Sequence, residues 1–241
     1  MKVLAFDTSN KLSSIAIVEN QLSLAEINTD DKLTHSINLL PNIQKLLDDT
    51  DLDLSDIDRV VVAQGPGSYT GLRIAVTVAK TLAYTLEKEL VGISSLKLLA
   101  ANAKEGHISV ALMDARNDNV FAGVYQSKDG SLDNLIEDQH VSIYDLLDKL
   151  KSYREEEIDF VNVSDNLLEI IKEAMPKANI LDYANSKPDA VKLAKLGEIE
   201  PPVADVNTFV PTYLRVTQAE YDWLQKDNHT ENGNISYVEE I

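Results

Sequence analysis

One short pattern occurs in each half of the chain, and it limits the fold more than any other feature. Val3-Leu4-Ala5-Phe6 is an apolar run that ends in Asp7, passes through polar Thr8-Ser9-Asn10 and resumes as Ile15-Ala16-Ile17-Val18. Ile108 to Met113 likewise ends in Asp114, passes through Arg116-Asn117-Asp118-Asn119 and resumes as Val120 to Tyr125. Strand, terminal aspartate, polar turn and strand, stated twice, describe two related lobes, each built on its own sheet. A chain of 241 residues is long enough for each lobe to bury a core.

The segments between fit a mixed α/β order. Leu22 to Ile27 reads as a third strand of an opening antiparallel meander. Leu39, Leu40, Ile43, Leu46 and Leu47 form the stripe of an amphipathic helix, with Pro41 kinking it or marking the start of its regular part. Val60-Val61-Val62-Ala63 is a short buried strand, Gly65-Pro66-Gly67-Ser68-Tyr69-Thr70-Gly71 a glycine loop, and Leu72 to about Leu86 a helix. Further helices are expected at Ile143 to Leu150, Leu167 to Ala174 and Ala190 to Leu196, and a strand at Ile158 to Val163. The expected architecture is an α/β, two-lobed, duplicated fold of the actin, hexokinase and Hsp70 kind, with lobes at 1–103 and 104–225 and a polar, aperiodic tail at 226–241 expected to be mobile.

Composition removes several functions. No cysteine occurs, so disulfides, thiolate zinc sites and a cysteine nucleophile are out of reach. Forty acidic against 22 basic side chains give a formal charge of −18, a field that repels nucleic acid and anionic membrane. No apolar run is long enough to span a bilayer, and the first strand is too short for a signal peptide, so a cytoplasmic protein is expected.

The candidate chemistry gathers at two places. The glycine loop reads either as a phosphate cradle at a helix N-terminus, with Arg73 adding charge, or as a tight turn capped by Ser68 or Thr70. Asp7 and Asp114 would either face each other across a cleft and hold a hydrated magnesium, or merely cap their turns. The turn Thr8 to Ser13 lacks the glycines that admit phosphate in nucleotide-binding members of that fold. The helix after the loop carries Gly71, Ala75, Ala79 and Ala83 at intervals of four, with Ile74, Val78 and Leu82 beside them. Its apolar surplus fits either a partner chain or burial within the lobe. His35, His107, His140 and His229 are dispersed, and no histidine pair has metal-ligand spacing. Asp48 to Leu54 lacks the glycine and closing glutamate of a calcium loop, and no G-x-S-x-G elbow is present.

Leu4-Ala5-Phe6-Asp7-Thr8-Ser9, His35-Ser36 with Leu39-Leu40-Pro41, the run Gly65 to Ile74, Val91-Gly92-Ile93-Ser94-Ser95-Leu96, Met113-Asp114-Ala115-Arg116 and Pro211-Thr212-Tyr213-Leu214-Arg215 occur in one order. This set, spanning roughly residues 1 to 215, closely resembles the bacterial TsaB family, also called YeaZ, of tRNA threonylcarbamoyladenosine biosynthesis. The resemblance implies a non-catalytic subunit that pairs with its catalytic paralogue TsaD, assisted by the ATPase TsaE. In TsaD the segment after the second helix supplies paired metal-binding histidines, and the matching Ser94 to Asn102 has none. The expected interface is the two N-lobe helices: His35, Leu39, Leu40, Ile43, Leu47, Leu72, Arg73, Ala75, Val76 and Ala79. Asp7, Gly65, Gly67, Ser68 and Asp114 would be a vestigial nucleotide site. No catalytic residue, metal or cofactor is expected of this chain itself. ADP or ATP with magnesium would belong to the assembled complex, tRNA would be contacted mainly through the partner, and the isolated chain could pair with a second copy. The rivals are a small-molecule kinase using Asp7, Asp114 and the glycine loop, and a metallopeptidase whose ligands are missing.

Overall fold

The computed structural model describes residues 1–30, 35–128 and 131–215, and the expected tail at 226–241 lies outside the described residues. Strands β1 (Lys2–Asp7), β2 (Ser13–Glu19) and β3 (Leu22–Thr29) form the expected meander. Helix α1 (His35–Asp49), strand β4 (Arg59–Gly65), helix α2 (Tyr69–Leu86), strand β5 (Glu89–Ser94) and helix α3 (Ser95–Ala100) complete the first half. The second half runs β6 (Ile108–Asp114), β7 (Asn119–Lys128), β8 (Ser131–Ser142), α4 (Ile143–Lys149), β9 (Ile158–Val161), α5 (Asp165–Ala174), β10 (Asn179–Ile180) and α6 (Ala190–Ile199).

The duplication is visible in the strand order. The first sheet is β3-β2-β1-β4-β5, and the second, β10-β9-β6-β7-β8, is the same arrangement with each strand replaced by its counterpart. Read from its other end as β8-β7-β6-β9-β10, the second sheet matches the first, with two antiparallel pairings followed by two parallel ones. This is the two-lobed, actin-like α/β fold.

Side-chain alternation along the strands builds three apolar layers. Leu4, Phe6, Ile15, Ile17, Val60 and Val62 point outward, where α1 and α2 cover them. Val3, Ala5, Ala16, Val18, Val61 and Ala63 point inward, toward Ala111, Met113 and Tyr125 of the second sheet, with α3 and α6 between. The outer face of the second sheet carries Val110, Leu112, Val120 and Val124 beneath α4 and α5. Because both faces of the central strands are covered, their sequences read as unbroken apolar runs.

The chain after α5 departs from the lobe boundary expected at 104–225. Helix α6 lies on β1 and β2, and the following segment pairs with the first sheet through Val203 N–H to Leu90 O at 2.8 Å and Thr212 N–H to Gln64 O at 2.7 Å. Phe209 enters the outer core of the first sheet. Residues 190–215 therefore pack with the first half, since α6 supplies the cover that the inner faces of β1 and β2 need.

Arg59, at the start of β4, fastens this return. Its buried guanidinium donates to the carbonyls of Gly197 at 2.6 Å, Glu200 at 3.1 Å and Glu198 at 3.2 Å, and to Glu89 Oε2 at 2.6 and 2.8 Å. Gly197 and Glu198 lie in the last turn of α6 and Glu200 is its C-cap, where unpaired acceptors and the negative end of the helix dipole collect. Helix α2 ends on Glu87 in the left-handed region, with φ of 53°. Replacing Glu87 by glycine, which carries no Cβ penalty there, is expected to stabilise the chain by about 0.5 kcal/mol, read as a rise in urea midpoint.

Candidate functional site

At the C-terminal ends of β1 and β4, the β1–β2 turn and the glycine loop dock directly on each other. Ser68 N–H donates to Ser9 O at 2.8 Å, and Thr8 Oγ1 donates to Gly71 O at 2.7 Å. A Cβ on Gly71 would lie 2.0 Å from Thr8 O, and one on Gly67 2.5 Å from Ser9 O. A Cβ on Gly65, whose φ is +121°, would lie 2.3 Å from Thr212 O. The glycines of the loop thus admit the protein's own backbone at the positions where the cradle reading places a phosphate. Ser68, not Thr70, is the N-cap of α2, its Oγ accepting from Gly71 N–H at 3.3 Å.

The strand-end aspartates repeat each other's local geometry. Asp7 Oδ1 accepts from Ser9 N–H at 2.7 Å, and Asp114 Oδ1 accepts from Arg116 N–H at 2.9 Å. Both close the same two-residue Asx turn, but Asp7 is fully buried and Asp114 is exposed. Among the described residues, no group of three or more histidine, cysteine or acidic side chains is placed to hold a metal. The turn after Asp114 holds a feature that sequence reasoning missed. Arg116, Asn117 and Asp118 are consecutive residues with φ of 69°, 52° and 57°, a left-handed run costly for side chains other than glycine. The Asn and Asp there were the available signal, since both tolerate this region best.

Beside the glycine loop, a cavity of about 180 Å³ is lined by Pro66, Gly67, Tyr69, Phe121 and the segment Thr212 to Arg215. The Tyr69 and Tyr213 rings stack at 5.3 Å, the Arg73 guanidinium lies 4.2 Å above Tyr69, and Arg73 Nε donates to Tyr213 Oη at 3.1 Å. Arg73 therefore braces the C-terminal segment against α2. Its position one turn into the helix was legible, but its aromatic partners were not. His140, packed against Phe121, is held below the usual imidazole range by burial and by the Arg215 charge.

The ten residues expected at a partner interface do not share one surface. Leu39, Ile43 and Leu47 of α1 and Leu72, Ala75, Val76 and Ala79 of α2 are buried in this chain's own outer core. They pack on the first sheet, so those seven side chains are not offered to a partner by this surface. His35 opens α1, and its side chain lies outside the described residues. Leu40 and Arg73 are exposed. The exposed residues of the helix pair include Leu40, Pro41, Gln44, Lys45 and Asp48 on α1 and Thr77, Thr81 and Tyr84 on α2, and Ile74, Val78 and Leu82 are half-buried. Leu40 is 54% exposed and Tyr84 67%. Helix α1 runs continuously through Pro41.

Comparison with known proteins agrees with this fold. The family model of TsaD, tRNA N6-adenosine threonylcarbamoyltransferase, matches residues 27–223. The tRNA threonylcarbamoyladenosine biosynthesis protein TsaB of Bacillus subtilis is 40% identical over 229 residues, covering 93% of this chain and 99% of that one. TsaB of Escherichia coli is 32% identical over 135 residues, 55% of this chain and 58% of that one. The solved structure of YeaZ from Pseudomonas aeruginosa superposes with a TM-score of 0.72 at 26% identity, covering 88% of this chain and 99% of that one. A second Pseudomonas aeruginosa structure, described as similar to peptidase YeaZ, gives a TM-score of 0.74 at 26% identity, covering 89% and 99%. The sequence similarity extends over nearly the whole chain and the superposition over both lobes, so the chain belongs to the TsaB family.

Proposed function

We propose that this chain is a non-catalytic subunit for threonylcarbamoylation of a tRNA adenosine, and that it pairs with TsaD through the outward surface of α1 and α2. The observation that carries this reading is the helix pair itself. One side is consumed by the sheet, while Leu40 on α1 and Tyr84 on α2 stay exposed and Ile74, Val78 and Leu82 are only half-buried, large apolar side chains that this chain does not itself fully cover. The names borne by the relatives support the pathway. The loops docked around Thr8, Ser9 and Gly71 weigh against the kinase reading, which needs that space for phosphate. On this reading ADP or ATP with magnesium belongs to the assembled complex, TsaE joins the pair, tRNA is held mainly by the partner, and the work is done in the cytoplasm. A charge of −18 supports leaving tRNA to the partner.

The test uses Leu40→Asp and Tyr84→Asp, which place a carboxylate at exposed positions of the two helices while sparing the core. Each is expected to weaken TsaD binding by about 100-fold or more in calorimetry, about 3 kcal/mol, with melting unchanged. Unchanged affinity in both folded variants would remove this surface from the interface. Ala79→Glu does not serve here, since Ala79 is buried against the sheet and its substitution tests folding.

A further inference from the structure

Among the described residues, the apolar layer between the two sheets carries a directional polar cluster. Ser94 ends β5 and is the N-cap of α3, its Oγ accepting from Leu96 N–H at 3.1 Å and Lys97 N–H at 3.2 Å. The same hydroxyl donates to Asp138 Oδ2 on β8 of the second sheet. Asp138 Oδ1 accepts from the hydroxyl of Tyr125, one of the largest fully buried side chains. The pocket for this carboxylate is built by a missing side chain, since a Cβ on Gly123 would lie 2.2 Å from Asp138 Oδ1 and 2.8 Å from the Tyr125 ring. It is also built by a bulge. Ala122 pairs with Gln139 and Val124 with Ile136, so Gly123 faces both Glu137 and Asp138, and the irregularity turns Asp138 toward α3.

We propose that the Asp138–Ser94 contact, positioned by Tyr125 and Gly123, is a latch that fixes the angle between the two lobes. The apolar layer around it, formed by Val91, Ile93, Leu96, Ala111 and Met113, is non-directional and tolerates sliding of one sheet past the other. A hydrogen bond from a helix-capping hydroxyl to a carboxylate does not tolerate it, because both groups are already anchored. The Ser94 oxygen is committed to two N–H donors, so its proton points toward Asp138, and the two carboxylate oxygens are divided between the lobes. Burial raises the Asp138 carboxyl above the usual range, only partly offset by the Ser94 and Tyr125 hydroxyls and the Lys97 charge, while the Glu137 charge adds to the rise. Burial also pushes the Tyr125 phenol far up, which keeps it a donor.

The absence of native cysteine allows a direct test by pulsed electron spin resonance between labels at Ser55→Cys on the first lobe and Ser152→Cys on the second, both exposed, with the labelled chain diluted into excess unlabelled chain. The otherwise unaltered chain is expected to give one narrow distance distribution. Asp138→Ala should widen it by about twofold or more, and Ser94→Gly, which loses the hydroxyl at little cost to the helix cap, should widen it equally. The double variant should be no wider than either single one, because all three lack the same bond. A narrow distribution in Ser94→Gly, or further widening in the double variant, would overturn the latch. The Ser94→Gly arm stands if Asp138→Ala fails to fold.

Discussion

Gly71→Ala is expected to destabilise this protein by about 3 to 5 kcal/mol, a large part of the roughly 5 to 15 kcal/mol that separates folded from unfolded chains. Helix propensity alone predicts the opposite sign, since alanine in place of glycine within a helix gains about 1 kcal/mol. The reversal comes from Thr8 O, 2.0 Å from where the new Cβ would sit. Relieving that overlap means moving the β1–β2 turn, and the turn is held by Thr8 Oγ1 to Gly71 O and by Ser68 N–H to Ser9 O. Breaking these bonds leaves buried polar groups unpaired. Urea unfolding of Gly71→Ala beside Thr77→Ala, at an exposed position of the same helix, separates the two effects. A large fall for the first and a small change for the second are expected. A gain for both would show that the loops are not docked as described.

Arg59→Met should cost about 3 to 4 kcal/mol, with most of the loss appearing where residues 190–215 return to the first sheet. The guanidinium serves three carbonyls around the end of α6 and the Glu89 carboxylate at once, and methionine keeps the apolar stem while removing every donor. The carbonyl of Gly197 is the most exposed to this loss, because its bond to Arg59 is buried. Hydrogen exchange is the discriminating readout. Amides of α6 and Val203 should lose protection well before those of β6 and β7, whereas uniform loss would mean that Arg59 does not act through this return.

The strands were legible in the sequence because most are buried on both faces, so Leu4 to Phe6, Ile15 to Val18 and Val60 to Val62 read as solid apolar runs. Strand β8 escaped notice because it is a bulged edge, with Asp133, Asn134 and Glu137 exposed along it. The glycine loop announced itself, but its role depended on Thr8 O and Thr212 O, atoms distant in sequence or belonging to a segment without a pattern. Seven of the ten residues expected at the interface are buried for a related reason. Periodicity finds the apolar stripe of a helix without saying what covers it, and in α1 and α2 the sheet covers it. The residues left outward, such as Tyr84, fall off the stripe. The Ser94, Tyr125 and Asp138 cluster draws on three strands, and no local spacing announces such a set.

The central claim is that this chain works as a partner of TsaD, and the most direct test is absolute mass in solution. Light scattering after size exclusion would be run on the chain alone and mixed with TsaD from the same organism, and repeated with Leu40→Asp. The account predicts a species at the sum of the two masses with the unaltered chain and its loss with Leu40→Asp. Separate elution of the unaltered chain and TsaD, even with nucleotide and TsaE present, would contradict it.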